Sequence, residues 1–194
     1  MDGRLGSVRD DVSRFLSVLE GETNAFVPGD DILQSRAAFA AMLRRHDAAP
    51  RVPVATRSLH CPGPGGPIAL HLHDANPDAS VARPIMIYFH GGGFVLGEIA
   101  CYAGLCGELA AQTGLPVISV DYRLAPEHPF PAAPDDCEAA TRWIAQKAAA
   151  LGVPATGLVL MGDSAGGNLA IVTAQALAAR PAALPVLLHA PVYP

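Results

Sequence analysis

At 194 residues with 51% apolar side chains, the chain is long enough to bury one sizeable core, as one domain with an appendage. Its net charge of −5, with Lys and Arg scattered, offers no basic stripe and argues against a nucleic-acid partner. No apolar run approaches the ~20 residues of a membrane span, and Met1-Asp2-Gly3-Arg4 lacks the apolar stretch of a signal peptide.

Nineteen glycines and eighteen prolines punctuate apolar runs, which points to many turns rather than disorder. Cys61, Cys101, Cys106 and Cys137 form no C-x-x-C pair. Reduced thiols in a cytoplasmic protein are therefore the expectation.

Val8, Val12, Phe15, Leu16 and Leu19 recur at helical spacing, and Gly21 ends that helix. A second helix is expected after Asp30 or Asp31, with Ile32, Phe39, Met42 and Leu43 on one side and a stop at Ala48-Ala49-Pro50. Residues 1–50 thus read as a helical segment distinct from residues 51–194.

Val54 to His60 and Ile68 to His73 read as two strands joined by the turn-rich tract Cys61 to Pro67. His71-x-His73-Asp74 resembles a metal-ligand spacing, but no third and fourth ligand follow. Alternate histidines on the outer face of a strand, with no metal, are the expectation. Pro84 to Phe89 is a continuous apolar strand of the kind buried in a parallel sheet, and it runs into His90-Gly91-Gly92-Gly93-Phe94.

A helix from about Tyr102 to Thr113 ends at Gly114, and Pro116 to Val120 forms the next strand. After the tract Asp121 to Pro129, Pro134 opens a helix with the apolar face Cys137, Ala140, Ile144, Ala148 and Leu151, closed by Gly152 and Pro154. Strand Leu158 to Met161 leads through Gly162-Asp163-Ser164-Ala165-Gly166 into a helix reaching Ala179, and Leu184 to Leu188 is a further strand. Strands alternating with helices predict an α/β fold, a mostly parallel sheet with helices on both faces. Reactive loops then gather at the C-terminal ends of the strands.

An apolar strand, a sharp turn carrying serine, and a helix give Gly-x-Ser-x-Gly its meaning as a nucleophile elbow. Gly162 and Gly166 leave room for strand and helix to approach, and Ser164 sits strained at the tip. The blander reading is an ordinary turn with a helix-capping serine.

Acyl transfer at serine also needs donors for the oxyanion. A run of three glycines after a strand frees backbone N–H groups, so Gly92 and Gly93, with Gly91 less favoured, are the candidates beside Ala165 N–H. Read alone, the run is equally a flexible loop or a phosphate cradle.

Three tracts in order carry a resemblance: His90 to Phe94, Asp121 to Glu127, and Gly162 to Asn168. The chain resembles the hormone-sensitive-lipase-like esterases of the α/β-hydrolase superfamily, the bacterial family IV type. The resemblance implies cleavage of carboxylic esters of short to medium acyl chains, without a cofactor and with a small-molecule ester as substrate. It implies that residues 1–50 contribute to a cap. The Asp121–Glu127 tract would be a loop anchored by Arg123 and Glu127, and Phe94 a wall of the acyl or alcohol pocket.

The family order is Ser, then acid, then His. After Ser164 the sequence holds no Asp or Glu, and His189 is its only histidine. Asp163 belongs to the elbow and is no base for Ser164, and His90 and His128 precede the nucleophile in tracts with other duties. The expectation is an α/β-hydrolase fold truncated after about the sixth strand. It would hold a serine esterase site that lacks its acid and base and is inactive as given, with an exposed final strand prone to self-association. The alternative is a non-catalytic protein that binds a small ligand on a hydrolase scaffold.

Overall fold

The computed structural model describes residues 9–21 and 31–194. Helix α1 spans Asp10–Gly21 and α2 spans Ile32–His46. Of the predicted stripe of the first helix, Val8 lies outside the described residues. Asp31 begins α2 because its carboxylate accepts from the N–H groups of Leu33 and Gln34, which α-helical bonding leaves unsatisfied.

Strands β1 (Ala55–Gly63) and β2 (Gly66–Asp74) form a hairpin closed at Pro64-Gly65. The tract read as a long turn is therefore mostly strand, with Pro62 paired opposite Pro67. Pro62 is tolerated because β1 is an edge strand, where a missing donor leaves no ladder bond unmade.

Strand β3 (Arg83–Phe89) is followed by a short 3-10 turn, Ile99–Tyr102, and then α3 (Ala103–Thr113). Gly114 caps α3 in the left-handed conformation, at φ 69°. Strand β4 (Val117–Val120), helix α4 (Ala132–Lys147), strand β5 (Ala155–Asp163), helix α5 (Ala165–Ala179) and strand β6 (Val186–Val192) complete the order. Pro134 sits within the first turn of α4 rather than opening it. Strand β6 begins two residues later than the sequence suggests and runs on to Val192.

The sheet order is β1-β2-β4-β3-β5-β6. β1–β2 and β2–β4 are antiparallel, and the β4–β3, β3–β5 and β5–β6 pairings are parallel. Alternation along β3 divides the core. Ile85, Ile87 and Phe89 pack with Cys137, Ala140 and Ile144 of α4 and Leu169 of α5. Met86 and Tyr88 pack on the opposite face with Cys106 and Ala110 of α3 and Ala40 of α2. Helices thus cover both faces, and apolar β3 is central because neither of its faces meets water. β6 is the other edge strand, with Leu187 and Leu188 more than half exposed.

His73 corrects the outer-face expectation. It is only 2% exposed, because the polar-looking face of β2 is the one α3 covers. Burial, with His71 alongside, pushes the His73 imidazole down to about 4, so the ring is neutral at neutral pH. Among the described residues no helix is long and apolar enough to cross a membrane, and no three His, Cys, Asp or Glu side chains cluster to hold a metal ion.

Candidate active site

Strand β5 delivers Ser164 at a sharp bend into α5, with φ 50° and ψ −119°. A non-glycine residue in this region costs on the order of 1–3 kcal/mol and persists only where its surroundings enforce it. The enforcing contacts are steric. A Cβ on Gly162 would overlap the Gly166 backbone and the Phe89 carbonyl, and one on Gly166 would overlap Phe89 again. Elbow and β3 are therefore in backbone contact, which only glycine permits. Ser164 N–H donates to Val192 O at 2.9 Å, tying the bend to β6.

Ser164 occupies the helix N-cap position, yet its side chain makes no capping hydrogen bond. The residue is exposed. The missing bond argues against the capping-serine reading.

The triple-glycine bend lies beside it. Gly92 and Gly93 take φ values of 123° and 62°, and Phe94 follows at 63°. The bend closes on itself, with Val95 N–H and Leu96 N–H donating to Gly92 O at 3.1 and 2.8 Å. Ser164, Asp163, Gly92 and Gly93 line one cavity of about 670 Å³, whose far wall is Ile32, Phe39 and Leu43 of α2 together with Tyr102 and Tyr193.

Asp163 joins the two halves of the site. Its Oδ1 accepts from Gly91 N–H at 2.9 Å and from the Tyr88 hydroxyl at 2.6 Å. Burial, with Asp163 adding to it, pushes the Tyr88 phenol up, so it remains a donor. Gly91 N–H is thus committed to Asp163, and it corrects the reading of Gly91 as an oxyanion donor. Gly92, Gly93 and Ala165 keep N–H groups with no acceptor among the described residues.

His90 is 1% exposed and stacked between Tyr122 and Tyr102, with centroids 4.3 and 5.5 Å away. Its Nδ1 lies 2.8 Å from Gly91 O, and Tyr122 donates to His90 O at 2.6 Å. Burial holds the ring's pKa down. The ring buttresses the start of the bend and is sealed from the cavity's solvent. His189 is exposed on β6, and neither ring is presented to Ser164 as a base.

Phe94 lines a second cavity of about 350 Å³, on the α4–α5 side of Gly93, with Ala125, Phe130, Leu169 and Val172. It does not line the cavity that holds Ser164. The 121–127 tract is fastened at both ends: Arg123 pairs with Asp136 of α4 through two bonds of 2.8 and 2.9 Å, and Glu127 pairs with Arg36 of α2. The roles of Asp163, Arg36 and Tyr193 escape sequence reasoning. The one available signal was the apolar face of α2, whose Ile32, Phe39 and Leu43 turn out to wall the cavity.

A strained, uncapped serine between a parallel strand and a helix, with a glycine bend tied to it, defines an α/β-hydrolase elbow. Residues 86–194 match the family model of the alpha/beta hydrolase fold, and the chain belongs to that family, within the group that includes hormone-sensitive lipase and bacterial esterases.

It is 47% identical over 115 residues to esterase LipI of Mycobacterium tuberculosis (58% of this chain, 36% of that protein). It is 40% identical over 114 residues to hormone-sensitive lipase of Ictidomys tridecemlineatus (59% and 15%). Among solved structures, the ester-hydrolase EH1AB1 from the metagenome of Lake Arreo, complexed with a bipyridine phosphonate derivative, superposes with a TM-score of 0.86 at 34% identity. That match covers 97% of this chain and 60% of the other. The chain therefore spans about a third or less of these two curated relatives.

Proposed function

We propose that these residues carry the nucleophile and oxyanion half of a serine carboxylic-ester hydrolase. The observation that carries the reading is an exposed Ser164 at φ 50° sharing one cavity with Gly92 and Gly93. Ser164 Oγ attacks the ester carbonyl carbon, and the resulting oxyanion accepts from the N–H groups of Gly92, Gly93 and Ala165. Each such donor stabilises the transition state by on the order of 3–4 kcal/mol. The alcohol then leaves with a proton, and water releases the acid from the acyl-serine.

Ile32, Phe39, Leu43 and Leu96 give the cavity apolar walls, which supports an uncharged ester of short to medium acyl length. α2 acts as part of the cap. Four free, buried thiols support a reducing, cytoplasmic setting.

Rapid proton transfer from Ser164 uses a histidine oriented by a carboxylate, and the described residues place no histidine beside it. Loss of such a base costs on the order of 10⁴–10⁶ in turnover. The 194-residue chain is therefore expected to hydrolyse p-nitrophenyl butyrate no faster than its Ser164→Ala variant under steady-state conditions. Rapid turnover that vanishes in Ser164→Ala would show that a base is present among these residues.

A further inference from the structure

Arg36 lies on α2, outside every tract that carries the family resemblance, yet its guanidinium meets three separate residues of the site's frame. Nε donates to Val95 O at 2.8 Å, and one terminal nitrogen donates to Ala125 O at 2.9 Å. The two terminal nitrogens also hold the Glu127 carboxylate, at 2.8 and 2.6 Å. The Arg36 side chain is 24% exposed and that of Glu127 45%, so the two carbonyl bonds form the part-buried side of the contact and the ion pair its outer side.

The two carbonyls matter more than the ion pair. Val95 is one of the two residues whose N–H groups close the glycine bend onto Gly92 O, and Ala125 N–H donates to Phe94 O at 2.9 Å. Arg36 thus grips the outgoing limb of the bend at Val95 and the loop that braces Phe94 at Ala125. A planar fork with five fixed donors can hold a carboxylate and two carbonyls together, whereas an ammonium cannot reproduce that geometry.

We propose that Arg36 is a positioning residue for the oxyanion bend, acting through the direction of its donors rather than through its charge. The part played by the bend in catalysis rests on the ester-hydrolase reading above. The gripping of the bend by Arg36 does not. Seating of α2 and the shape of the donor set are then one event: displacing the helix releases Val95 and Ala125, and the amides of Gly92 and Gly93 lose their fixed direction.

The test compares the 194-residue chain with Arg36→Lys and Arg36→Ala by residue-resolved hydrogen exchange, and by the rate at which a p-nitrophenyl alkylphosphonate is captured on Ser164. In both variants exchange at Val95, Leu96 and Ala125 should rise by about tenfold or more, while Ile87 and Leu160 in the central sheet stay unchanged. Capture should slow by about tenfold in both.

Restoration of exchange and capture by lysine would overturn the proposal and leave a simple charge pair. A uniform rise in exchange across the sheet would overturn it as general destabilisation, and a local rise with capture unchanged would remove Arg36 from the chemistry. Absence of capture by the unmodified chain even after prolonged incubation with excess phosphonate would refute the ester-hydrolase reading, and the exchange pattern would then decide on Arg36 alone.

Discussion

Gly166→Ala is expected to lower stability by about 3 kcal/mol or more, the range in which overpacking against an immovable neighbour falls. The added methyl would overlap the carbonyl of Phe89 and press on that of His90. Both belong to the backbone at the end of β3, the strand buried on both faces, so neither can swing aside as a flexible side chain would. For a domain of this size that loss corresponds to a fall of roughly 10 °C in Tm.

Gly152→Ala is the contrasting control. Gly152, unlike the helical Gly166, has a positive φ, 74°, but a Cβ there meets nothing within 4 Å, so its cost is backbone strain alone, about 1 kcal/mol. Thermal or urea unfolding of the two variants measures the difference directly. Equal losses would mean that the elbow and β3 are not in backbone contact.

Asp163→Ala should damage the site more than it damages the fold. It leaves the Tyr88 hydroxyl, in a residue 1% exposed, and Gly91 N–H without their shared acceptor. Abandoning two buried donors costs roughly 2–4 kcal/mol. Gly91 also loses its tie to the elbow, so the next two amides drift from Ser164, and phosphonate capture on Ser164 should slow by roughly a hundredfold.

Both bonds end on the same oxygen, Oδ1, which gives the test its discrimination. Asp163→Asn retains an oxygen there and should keep most of the capture rate. Equal loss in Asn and Ala would assign the effect to the negative charge instead of to the shared acceptor.

The parts of the molecule legible in the sequence are those written locally. β3 is a continuous apolar run, the helix caps at Asp31 and Gly114 are single-residue signals, and the elbow's glycines sit at fixed offsets from Ser164. The strand ends of the hairpin are hidden because Pro62, Pro64 and Pro67 signal a loop, while the edge position of β1 and the lack of a β4 partner opposite Pro67 let Pro62 and Pro67 pair. The burial of His73 escapes the sequence because strand alternation says which residues share a face, not which face a helix covers.

The polar ties of the site were invisible for a different reason. Asp163 meets Gly91 and Tyr88 across 72 and 75 residues, and Arg36 meets Glu127 across 91. No local pattern encodes a partner at such separation. The proposal of Ser164 as nucleophile starts from its sequence neighbours, whereas the commitment of Gly91 to Asp163 is visible only once β3 and β5 lie side by side.

The most direct measurement is covalent capture of the 194-residue chain by a p-nitrophenyl alkylphosphonate, read by intact mass and peptide mapping. Ser164 Oγ forms the bond to phosphorus, p-nitrophenolate leaves, and the phosphoryl oxygen rests on the amides of Gly92, Gly93 and Ala165. The hydroxyl proton passes to solvent without a histidine to speed it, so capture is slow and read after prolonged incubation. One phosphonyl group per chain, located on Ser164 and absent from Ser164→Ala, is the expected result. An adduct on any other side chain, or a rate indistinguishable from that of Ser164→Ala, would contradict the presentation of this hydroxyl to an electrophile.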